Sequence, residues 1–382
     1  MRKVSGHYIT TTITGEPVRA FVPNGLPPHL TAKEAAELID SLRDAETAIS
    51  KLNLAGEMIP SIDWFIYAFL RKEALLSSEI EGTQATLLDV FSYEHVEQAG
   101  TSSLADLEEV ANYVSAMNYA LGELRSKRGL PLSVRLLNEC HRRLLQGSRG
   151  ASKQPGEIRR SQNWIGGTRP GNAAFVPPPP ERVADLLTGL ERYIHKEDSL
   201  APLLRIAAIH VQFETIHPYL DGNGRVGRML IALLLEHWQL LTSPLLYMSA
   251  YLKKQQANYY RRLERVRTEG DWMGWFEFFL AGIESTAREA ADSARRLHRQ
   301  VTEDRRKLLA SHGVTVYAIQ LFEILPNHPV ISMPLVTRLL DTTKPTAGKA
   351  IQVLQSAEIL KEIGEQKRDR LYSYEPYVSL LK

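Results

Sequence analysis

A short polar stretch lies between two apolar helical runs, and this arrangement constrains the fold more than any other part of the sequence. Residues 217–228 read His-Pro-Tyr-Leu-Asp-Gly-Asn-Gly-Arg-Val-Gly-Arg. Residues 202–215 before them carry apolar side chains at helical spacing, and residues 229–238 after them are apolar almost all round. The pattern predicts two core helices that hold a polar loop between them.

Glycines and arginines make this loop suitable for binding a phosphate. Gly222 and Gly224 permit positive φ angles and a close approach of the backbone to a ligand. Successive N–H groups in such a turn form an anion-binding nest, and the N-terminus of the next helix adds positive potential. Arg225 and Arg228 lie three residues apart, so we expect both guanidinium groups to reach one polyanion.

Two further side chains of the loop supply chemistry. His217, at the end of the first helix, can accept a proton from an attacking hydroxyl. Asp221 offers the oxygen ligand that Mg²⁺ on a nucleotide requires. A polar turn between helices would explain a lone Gly-Asn-Gly, but not the histidine, the carboxylate and the two arginines beside it. The whole set is typical of phosphoryl or nucleotidyl transferases, in which positioning and charge neutralisation do most of the work.

The stretch closely resembles the signature of the Fic family, His-Pro-Phe-x-Asp/Glu-Gly-Asn-Gly-Arg-x-x-Arg, with Tyr219 in place of Phe as the only departure. The resemblance implies transfer of AMP from ATP to a Ser, Thr or Tyr hydroxyl of a protein, including the enzyme itself. It assigns His217 as the base, Asp221 as the Mg²⁺ ligand and Arg228 as the partner of the γ-phosphate. The ATP-binding residues that it implies in the loop are Asp221, Gly222, Asn223, Gly224, Arg225, Val226, Gly227 and Arg228.

Other activities remain as alternatives. The related Doc kinases carry Ala and Lys where this chain has Gly222 and Gly224, which argues against the kinase variant. Transfer of a γ-phosphate or a phosphocholine group is one rival to AMP transfer. A rival of a different class is a DNA-binding regulator in which the Fic-like core only senses a nucleotide.

A second informative stretch is residues 61–81, whose apolar spacing predicts a helix that ends Ser-Ser-Glu-Ile-Glu-Gly. A glutamate in the last turn opposes the helix dipole at a cost of about 0.3–1 kcal/mol, so Glu81 is either solvated or paired with a cation. Ser77, Glu81 and Gly82 match the inhibitory motif of Fic proteins, Ser/Thr-x-x-x-Glu-Gly/Asn. The resemblance implies that Glu81 pairs with Arg228 and blocks productive ATP binding. It also implies that Glu81 can orient water for hydrolysis of the AMP–protein bond.

Residues 146–180 form a long loop rich in Gly and Pro, and loops of this length in compact proteins are usually functional. Residues 162–165 and 173–176 flank a Gly-rich turn within it, which predicts a β-hairpin. A plain surface excursion is the alternative. The family resemblance implies a flap that aligns an extended target segment by edge pairing. The matching flap residues are Ala173, Ala174, Phe175 and Val176.

Aromatic residues recur at helical spacing in residues 247–268, after the loop. Such a stripe is typical of a protein core, and core packing is the simpler interpretation. A tyrosine of this region walls the adenine in the Fic family. The resemblance therefore nominates Tyr251 and Tyr259 for that role.

Residues 312–382 read as a helix, a helix-turn-helix and a hairpin, an order that resembles a winged helix-turn-helix domain. Its candidate reading face carries Lys344, Thr346, Lys349 and Gln352, and its wing tip carries Lys367 and Arg368. The whole segment 312–382 contains eight Lys plus Arg against seven Asp plus Glu, which gives a net charge of only +1. Because DNA affinity rests on phosphate neutralisation, DNA contact and protein docking stay equally supported.

The composition sets the remaining expectations. Hydrophobic residues make up 44% of the chain and charged residues 24%, and the net charge is +2, so no global field marks a nucleic-acid or membrane-surface protein. No apolar run approaches the roughly 18 residues of a membrane span, and the first residues lack the apolar region of a signal peptide. We therefore expect a cytoplasmic protein without membrane contact. The sequence does not decide the oligomeric state, and a homodimer is one expectation.

The predicted fold class is mainly α: a Fic-type helical core with a β-hairpin flap, plus a C-terminal winged helix domain. We expect four regions. They are an N-terminal helical region with the inhibitory helix (1–112), a catalytic core (113–285), a connector helix (286–311) and the winged helix-turn-helix domain (312–382).

Overall fold

The computed structural model describes residues 4–13, 15–57, 62–93, 103–147, 150–364 and 370–381, and the mainly α-helical prediction is confirmed. The strands are β1 (Gly6–Ile13), β2 (Glu16–Pro23), β3 (Val330–Ser332), β4 (Leu360–Ile363) and β5 (Leu371–Tyr374). The helices are α1 (Ala32–Glu37), α2 (Ile39–Glu57), α3 (Ile62–Ile80), α4 (Leu87–Tyr93), α5 (Leu104–Arg125), α6 (Val134–Leu144), α7 (Pro180–His195), α8 (Pro202–Ile216), α9 (Asn223–His237), α10 (Ser249–Lys254), α11 (Gln256–Glu269), α12 (Trp272–Ala310), α13 (Val316–Ile324), α14 (Met333–Leu339), α15 (Lys344–Ser356) and α16 (Glu375–Leu381).

Helices α8 and α9 form the centre of the core, as their apolar composition predicts. Every residue of α8 from Leu203 to Ile216 is buried, and α9 is buried from Val226 to Leu235. Helices α3, α5 and α12 pack around this pair, and the Trp275 indole on α12 donates a hydrogen bond to the Ala207 carbonyl at 2.9 Å. The loop between α8 and α9 is therefore fixed at both ends by fully packed helices.

The long helix α12 crosses the predicted boundary between core and connector. It runs unbroken over 39 residues, about 58 Å at 1.5 Å per residue. The apolar residues of its second half recur every three or four positions and are buried on one side, which packs along α2. These residues are Ala290, Ala294, Leu297, Val301 and Leu308. The segment 286–311 is thus a continuation of a core helix.

The C-terminal residues fold as α13, β3, α14, α15, β4, β5 and α16, with a three-stranded antiparallel sheet in the order β3-β5-β4. Ser373 of β5 lies between Val330 of β3 and Lys361 of β4. The helices and the hairpin follow the predicted order, whereas β3 and α16 were not predicted. The predicted wing-tip residues Lys367 and Arg368 lie outside the described residues.

This C-terminal unit packs against the core. The Tyr377 hydroxyl donates to the Trp64 carbonyl on α3 at 3.1 Å, and the Tyr374 hydroxyl donates to the fully buried Asp304 carboxylate on α12 at 2.9 Å. The sequence pattern predicted a separate unit, because it cannot show hydrogen bonds between residues that lie 70 and 313 positions apart.

Replacing Tyr374 by Phe should destabilise the protein by about 1–3 kcal/mol, because a buried carboxylate loses a donor. Asp304 keeps Gln300 and Lys307 as donors, at 3.0 and 3.3 Å. Urea unfolding followed by circular dichroism measures the change. The matched control is Tyr317→Phe, at a partly exposed tyrosine of the same unit. An equal free energy of unfolding for both variants would show that the buried hydrogen bond contributes nothing.

The first strands form an antiparallel hairpin, in which Tyr8 pairs with Phe21. No helix in the described part of the chain is both long enough and apolar enough to cross a membrane.

Candidate active site

One cleft brings together several of the residues that the sequence singled out. It encloses about 640 Å³ between the end of α3, the loop from α8 to α9, α11 and the flap. Seven of its lining residues were predicted: Glu81, Ala174, Phe175, His217, Gly224, Arg228 and Tyr259. Lining residues that were not predicted as site residues include Tyr8, Ile165, Glu214, Tyr260 and Arg267.

The loop backbone has positive φ at Gly222, as glycine permits, and also at His217, where the sequence does not predict it. Gly222 has φ 76° and precedes the first turn of α9. His217 itself is left-handed, with φ 49° and ψ 62°, and ends α8 by donating its N–H to the Phe213 carbonyl at 2.9 Å. Residues other than glycine rarely adopt this region, so other contacts must hold His217 in place.

Arg159 supplies those contacts. Its buried guanidinium donates to the carbonyls of His217 and Pro178 at 2.9 and 2.6 Å, and to that of Ile216 at 3.3 Å. The backbone N–H of Arg159 donates to the Pro218 carbonyl at 2.9 Å. Burial lowers the pKa of Arg159 to about 10, with a smaller opposite effect from Glu181. Arg159 thus ties the base of the flap to the histidine loop.

A second histidine supports the other half of the loop. Gly156 donates its N–H to His141 Nδ1 at 2.8 Å, so Nε2 carries the hydrogen and donates to the Asp221 carbonyl at 3.0 Å. The His141 ring stacks on Tyr219, with centroids 3.8 Å apart. Burial lowers the pKa of His141 to about 4, which keeps this neutral tautomer at ordinary pH.

Several predicted ATP-binding residues serve the loop itself. The Asn223 side chain exchanges two hydrogen bonds of 2.8 Å with the backbone of Tyr219, so only its main chain is free to face a ligand. Val226 is fully buried in the core, and Gly227 packs against the Glu214 carboxylate. At Gly224, a Cβ would overlap the Glu81 carboxylate, so glycine keeps the helix N-terminus open to the cleft.

The Arg225 side chain does not line the cleft, contrary to the expectation that both arginines reach one polyanion. The Arg225 side chain lies outside the cleft lining, with its Nη1 3.7 Å from Glu109 Oε2 and its Nη2 3.8 Å from Asp221 Oδ1. The Asp221 side chain is half-exposed, and its Oδ1 accepts the Gly222 N–H at 2.6 Å. Arg225 can therefore orient Asp221, while Arg228 alone provides a guanidinium from α9 to the cleft.

His217 faces the cleft as a neutral imidazole. Burial, together with the smaller effects of the positive charges on Arg267 and Arg159, lowers its pKa to about 3. Its Nδ1 is buried and lacks a hydrogen-bond partner among the described residues. A neutral imidazole that lines the cleft can accept a proton, which is what a general base requires.

Arg228 is held by the end of α3. Its Nη2 lies 2.8 Å from Glu81 Oε1, its Nε donates to Ser77 Oγ at 2.8 Å, and Nη2 also donates to the Ser77 carbonyl at 2.8 Å. Burial is the largest single effect and lowers the pKa of Arg228, but Glu81, Tyr259 and Glu214 together raise it, and the net shift is upward. Gly82, with φ 100°, follows α3 and turns the chain away. All three residues of the predicted motif lie at this contact.

Glu214 is an acid that sequence reasoning missed. It lies three residues before His217 on α8, is buried at the cleft wall, and its Oε1 has no hydrogen-bond partner among the described residues. Burial raises its pKa to about 7, against an opposite effect from Arg228. The i to i+3 spacing from His217 on a buried helix is the signal that could have found it.

The tyrosines of this region that line the cleft differ from the pair, Tyr251 and Tyr259, that the sequence nominated. Tyr259 lines the cleft, although its hydroxyl is within 2.8 Å of His210 Nε2 and its ring is almost fully buried. Tyr251 packs on Phe278 with centroids 5.2 Å apart and does not line the cleft. Tyr260, the residue after Tyr259, lines it instead. Tyr251 lies on α10, whereas Tyr259 and Tyr260 lie on α11, and the packing of these two helices determines which rings line the cleft.

The flap is less regular than a hairpin. A single bridge joins Ile165 and Phe175, whose N–H and carbonyl groups pair at 2.8 and 3.1 Å. Ala174 and Phe175 face the cleft, whereas Ala173 and Val176 pack with the N-terminal hairpin.

Comparisons with known proteins agree with this architecture. The model described as Fic/DOC family N-terminal matches residues 39–122, and the Fic/DOC family model matches residues 131–235. Two similar proteins are both named protein adenylyltransferase Fic. The one from Drosophila yakuba is 30% identical over 251 residues, and the one from Drosophila melanogaster is 29% identical over 253 residues. Each match covers 65% of this chain and 46% of the relative, so the chain spans about half the length of these relatives.

Solved structures share the fold. A Fic family protein from Desulfovibrio desulfuricans G20 aligns with a TM-score of 0.58 at 19% identity, covering 91% of this chain and 98% of that one. Fic-1 from C. elegans aligns with a TM-score of 0.54 at 21% identity, covering 68% of this chain and 74% of that one. Two family models match in chain order, and the fold is that of solved Fic proteins: residues 39–122 and 131–235 are the N-terminal and Fic domains of the Fic/DOC family.

Proposed function

We propose that this protein is a protein adenylyltransferase, which transfers AMP from ATP to a hydroxyl of a protein target or of itself. The observation that carries the proposal is the convergence of His217, the N-terminus of α9 and Arg228 on one cleft. The similar proteins named protein adenylyltransferase Fic support the same activity.

The proposed reaction needs a base, an anion site and an attacking hydroxyl. His217 takes the proton of the hydroxyl, whose oxygen attacks the α-phosphorus of ATP. The new oxygen–phosphorus bond forms as the bond to pyrophosphate breaks. The N–H group of Gly224 and the positive end of α9 stabilise the negative charge on the phosphate. Arg228 binds the γ-phosphate once it is free of Glu81.

Asp221 fits the Mg²⁺ that accompanies ATP. Among the described residues, no group of three or more His, Cys, Asp or Glu side chains could hold a metal ion by itself. Mg²⁺ usually keeps waters and binds one or two carboxylates plus the phosphates of a nucleotide, so a single half-exposed carboxylate is compatible with it. Bound there, the ion would neutralise charge on the departing pyrophosphate.

Glu81 is proposed as an inhibitory residue, supported by its 2.8 Å contact with Arg228 at the cleft. A carboxylate in that position pairs with the guanidinium that would otherwise bind the γ-phosphate. ATP would then bind with its α-phosphate out of line for attack.

Intact-mass spectrometry of the protein after incubation with ATP and Mg²⁺ tests the activity. We expect added mass of one or more AMP units. ATP labelled only at the γ-phosphate should transfer no label to the protein, because that phosphate leaves in pyrophosphate. Addition of phosphate alone would indicate a kinase instead. Absence of any adduct, together with absence of pyrophosphate release in the Glu81→Gly variant, would contradict the proposal.

We propose a second role for residues 312–382, as a winged helix unit that contacts DNA. Its support is the element order and the exposed Lys344, Lys349 and Gln352 on α15, with Thr346 half-buried beside them. Binding of labelled DNA by the full chain, measured over a range of salt concentrations, tests it, because phosphate contacts weaken as salt rises. Salt-independent or undetectable binding would favour protein docking.

A further inference from the structure

The N-terminal hairpin lies outside both family matches and yet contacts the active site. Residues 6–23 precede the first matched residue at position 39. Phe21 donates its N–H to the Val176 carbonyl of the flap at 2.9 Å, and the Glu16 carboxylate accepts the Gly171 N–H at 3.0 Å and pairs with Arg169 at 2.6 Å. Side chains of the hairpin and the flap also share a small apolar cluster: Ile13, Val18, Ala20, Val176 and Ala173.

The hairpin occupies one edge of the flap. Phe175 uses both its N–H and its carbonyl to pair with Ile165. Because successive residues of an extended strand direct these groups to opposite edges, the Val176 carbonyl points away from Ile165 and toward the hairpin. The hairpin therefore lies where an extended target segment would add to the flap.

Tyr8 is the hairpin residue that reaches the cleft. It is the register partner of Phe21, and directly opposed side chains share a face of the ribbon. The rings of Tyr8 and Phe21 are 5.2 Å apart and those of Phe21 and Phe175 are 6.4 Å apart, so three aromatic rings lead from the hairpin to the flap. Tyr8 is 42% exposed and lines the same cleft as His217.

The hairpin is also anchored on the far side of the cleft. The Ser5 hydroxyl donates to the carbonyls of Val266 and Arg267 on α11, and Gln212 on α8 donates to the Asn24 carbonyl at 3.0 Å. The Arg19 guanidinium lies over the Tyr8 ring, 4.4 Å from its centroid. Anchors on both sides mean that little conformational entropy is lost when a hydroxyl on this ribbon is presented to the cleft.

We propose that Tyr8 is an acceptor of the transferred AMP, within the same chain. The inference rests on the proposed adenylyltransferase function and names the residue modified. The phenolic oxygen of Tyr8 attacks the α-phosphorus of ATP and forms a phosphodiester. The bond between that phosphorus and the bridging oxygen breaks, pyrophosphate leaves with the electron pair, and His217 receives the phenolic proton.

Peptide mapping of the Glu81→Gly protein after reaction with ATP and Mg²⁺ tests the proposal. Trypsin releases residues 4–19, which contain Tyr8 together with one serine and several threonines, and fragmentation of this peptide identifies the modified residue. We expect AMP on Tyr8. In the same background, Tyr8→Phe keeps the ring and should lower incorporation tenfold or more. Tyr317→Phe, at a partly exposed tyrosine on α13, should leave incorporation unchanged.

Kinetics distinguish transfer within one chain from transfer between chains. The fraction labelled per unit time should not change over a tenfold dilution of the protein. A rate that falls in proportion to concentration would overturn transfer within the chain.

The remaining outcomes separate this proposal from the proposed function. AMP found only on other residues, or pyrophosphate release without labelling, would overturn the role of Tyr8 and leave the adenylyltransferase activity intact. An unlabelled Tyr8 with ATP binding weakened by Tyr8→Phe would make Tyr8 a wall of the nucleotide site. The absence of both AMP label and pyrophosphate release would contradict the activity itself.

Discussion

Replacing His217 by Ala should remove AMP transfer, with a fall in rate of about 10²–10⁴-fold or more, as is typical for loss of a general base. The neutral imidazole is the group positioned to take the hydroxyl proton, and an alanine side chain cannot accept one. ATP binding should stay largely intact, because the helix N-terminus and Arg228 remain. Initial rates of AMP incorporation and calorimetric ATP affinities measure the two effects separately.

The matched control is His312→Ala, at an exposed histidine between α12 and α13. It should keep full activity. A His217→Ala rate within threefold of the unaltered protein would rule out His217 as the base. A large loss of ATP affinity in that variant would instead indicate that His217 shapes the binding site.

Replacing Glu81 by Gly should increase AMP transfer tenfold or more, which corresponds to at least about 1.4 kcal/mol. The substitution removes the carboxylate that lies 2.8 Å from Arg228 Nη2, so the guanidinium is free for the γ-phosphate. The gain should disappear in the double variant Glu81→Gly, Arg228→Ala, because the released arginine is its source. Initial rates at saturating ATP measure all three proteins.

A glycine just after the last turn of α3 also loosens the end of the helix, so a second variant is needed to separate the two effects. Glu79→Gly places the same residue two positions earlier, where the carboxylate pairs with Lys253 rather than Arg228. It should give no increase. Equal activity of Glu81→Gly and the unaltered protein at saturating ATP would show that Glu81 is only a carboxylate at a helix end.

Local patterns predicted the centre of the fold well. The helices on either side of the loop could be predicted because a chain that is apolar on every face must be buried, and glycine between two such helices marks the turn. The conformation of His217 could not be predicted, since it depends on Arg159, which lies 58 positions earlier. His141 holds the Asp221 carbonyl from 80 positions away and was missed for the same reason.

Errors arose where one helical pattern has several faces. The stripe that suggested Tyr251 also contains Tyr260, and only the rotation of the helices decides which ring lines the cleft. Arg225 and Arg228 are three apart, yet Glu109 on α5 draws Arg225 to another side. In both cases the spacing predicted helical structure correctly, while the packing of neighbouring elements determined which side chains meet the cleft.

Helix α3 joins two distant parts of the protein. Near its first turn, the Trp64 carbonyl accepts from Tyr377 of the C-terminal unit, and just after its last turn Glu81 contacts Arg228. Its 19 residues span about 28 Å, and a packed helix of this length moves as a rigid rod. A displacement of α3 along its axis that separates Glu81 from Arg228 would also change the contact between Trp64 and Tyr377 at the other end. Thermodynamic reciprocity then links the two ends: a ligand that shifts the C-terminal unit changes ATP affinity by the same factor by which ATP changes the affinity for that ligand.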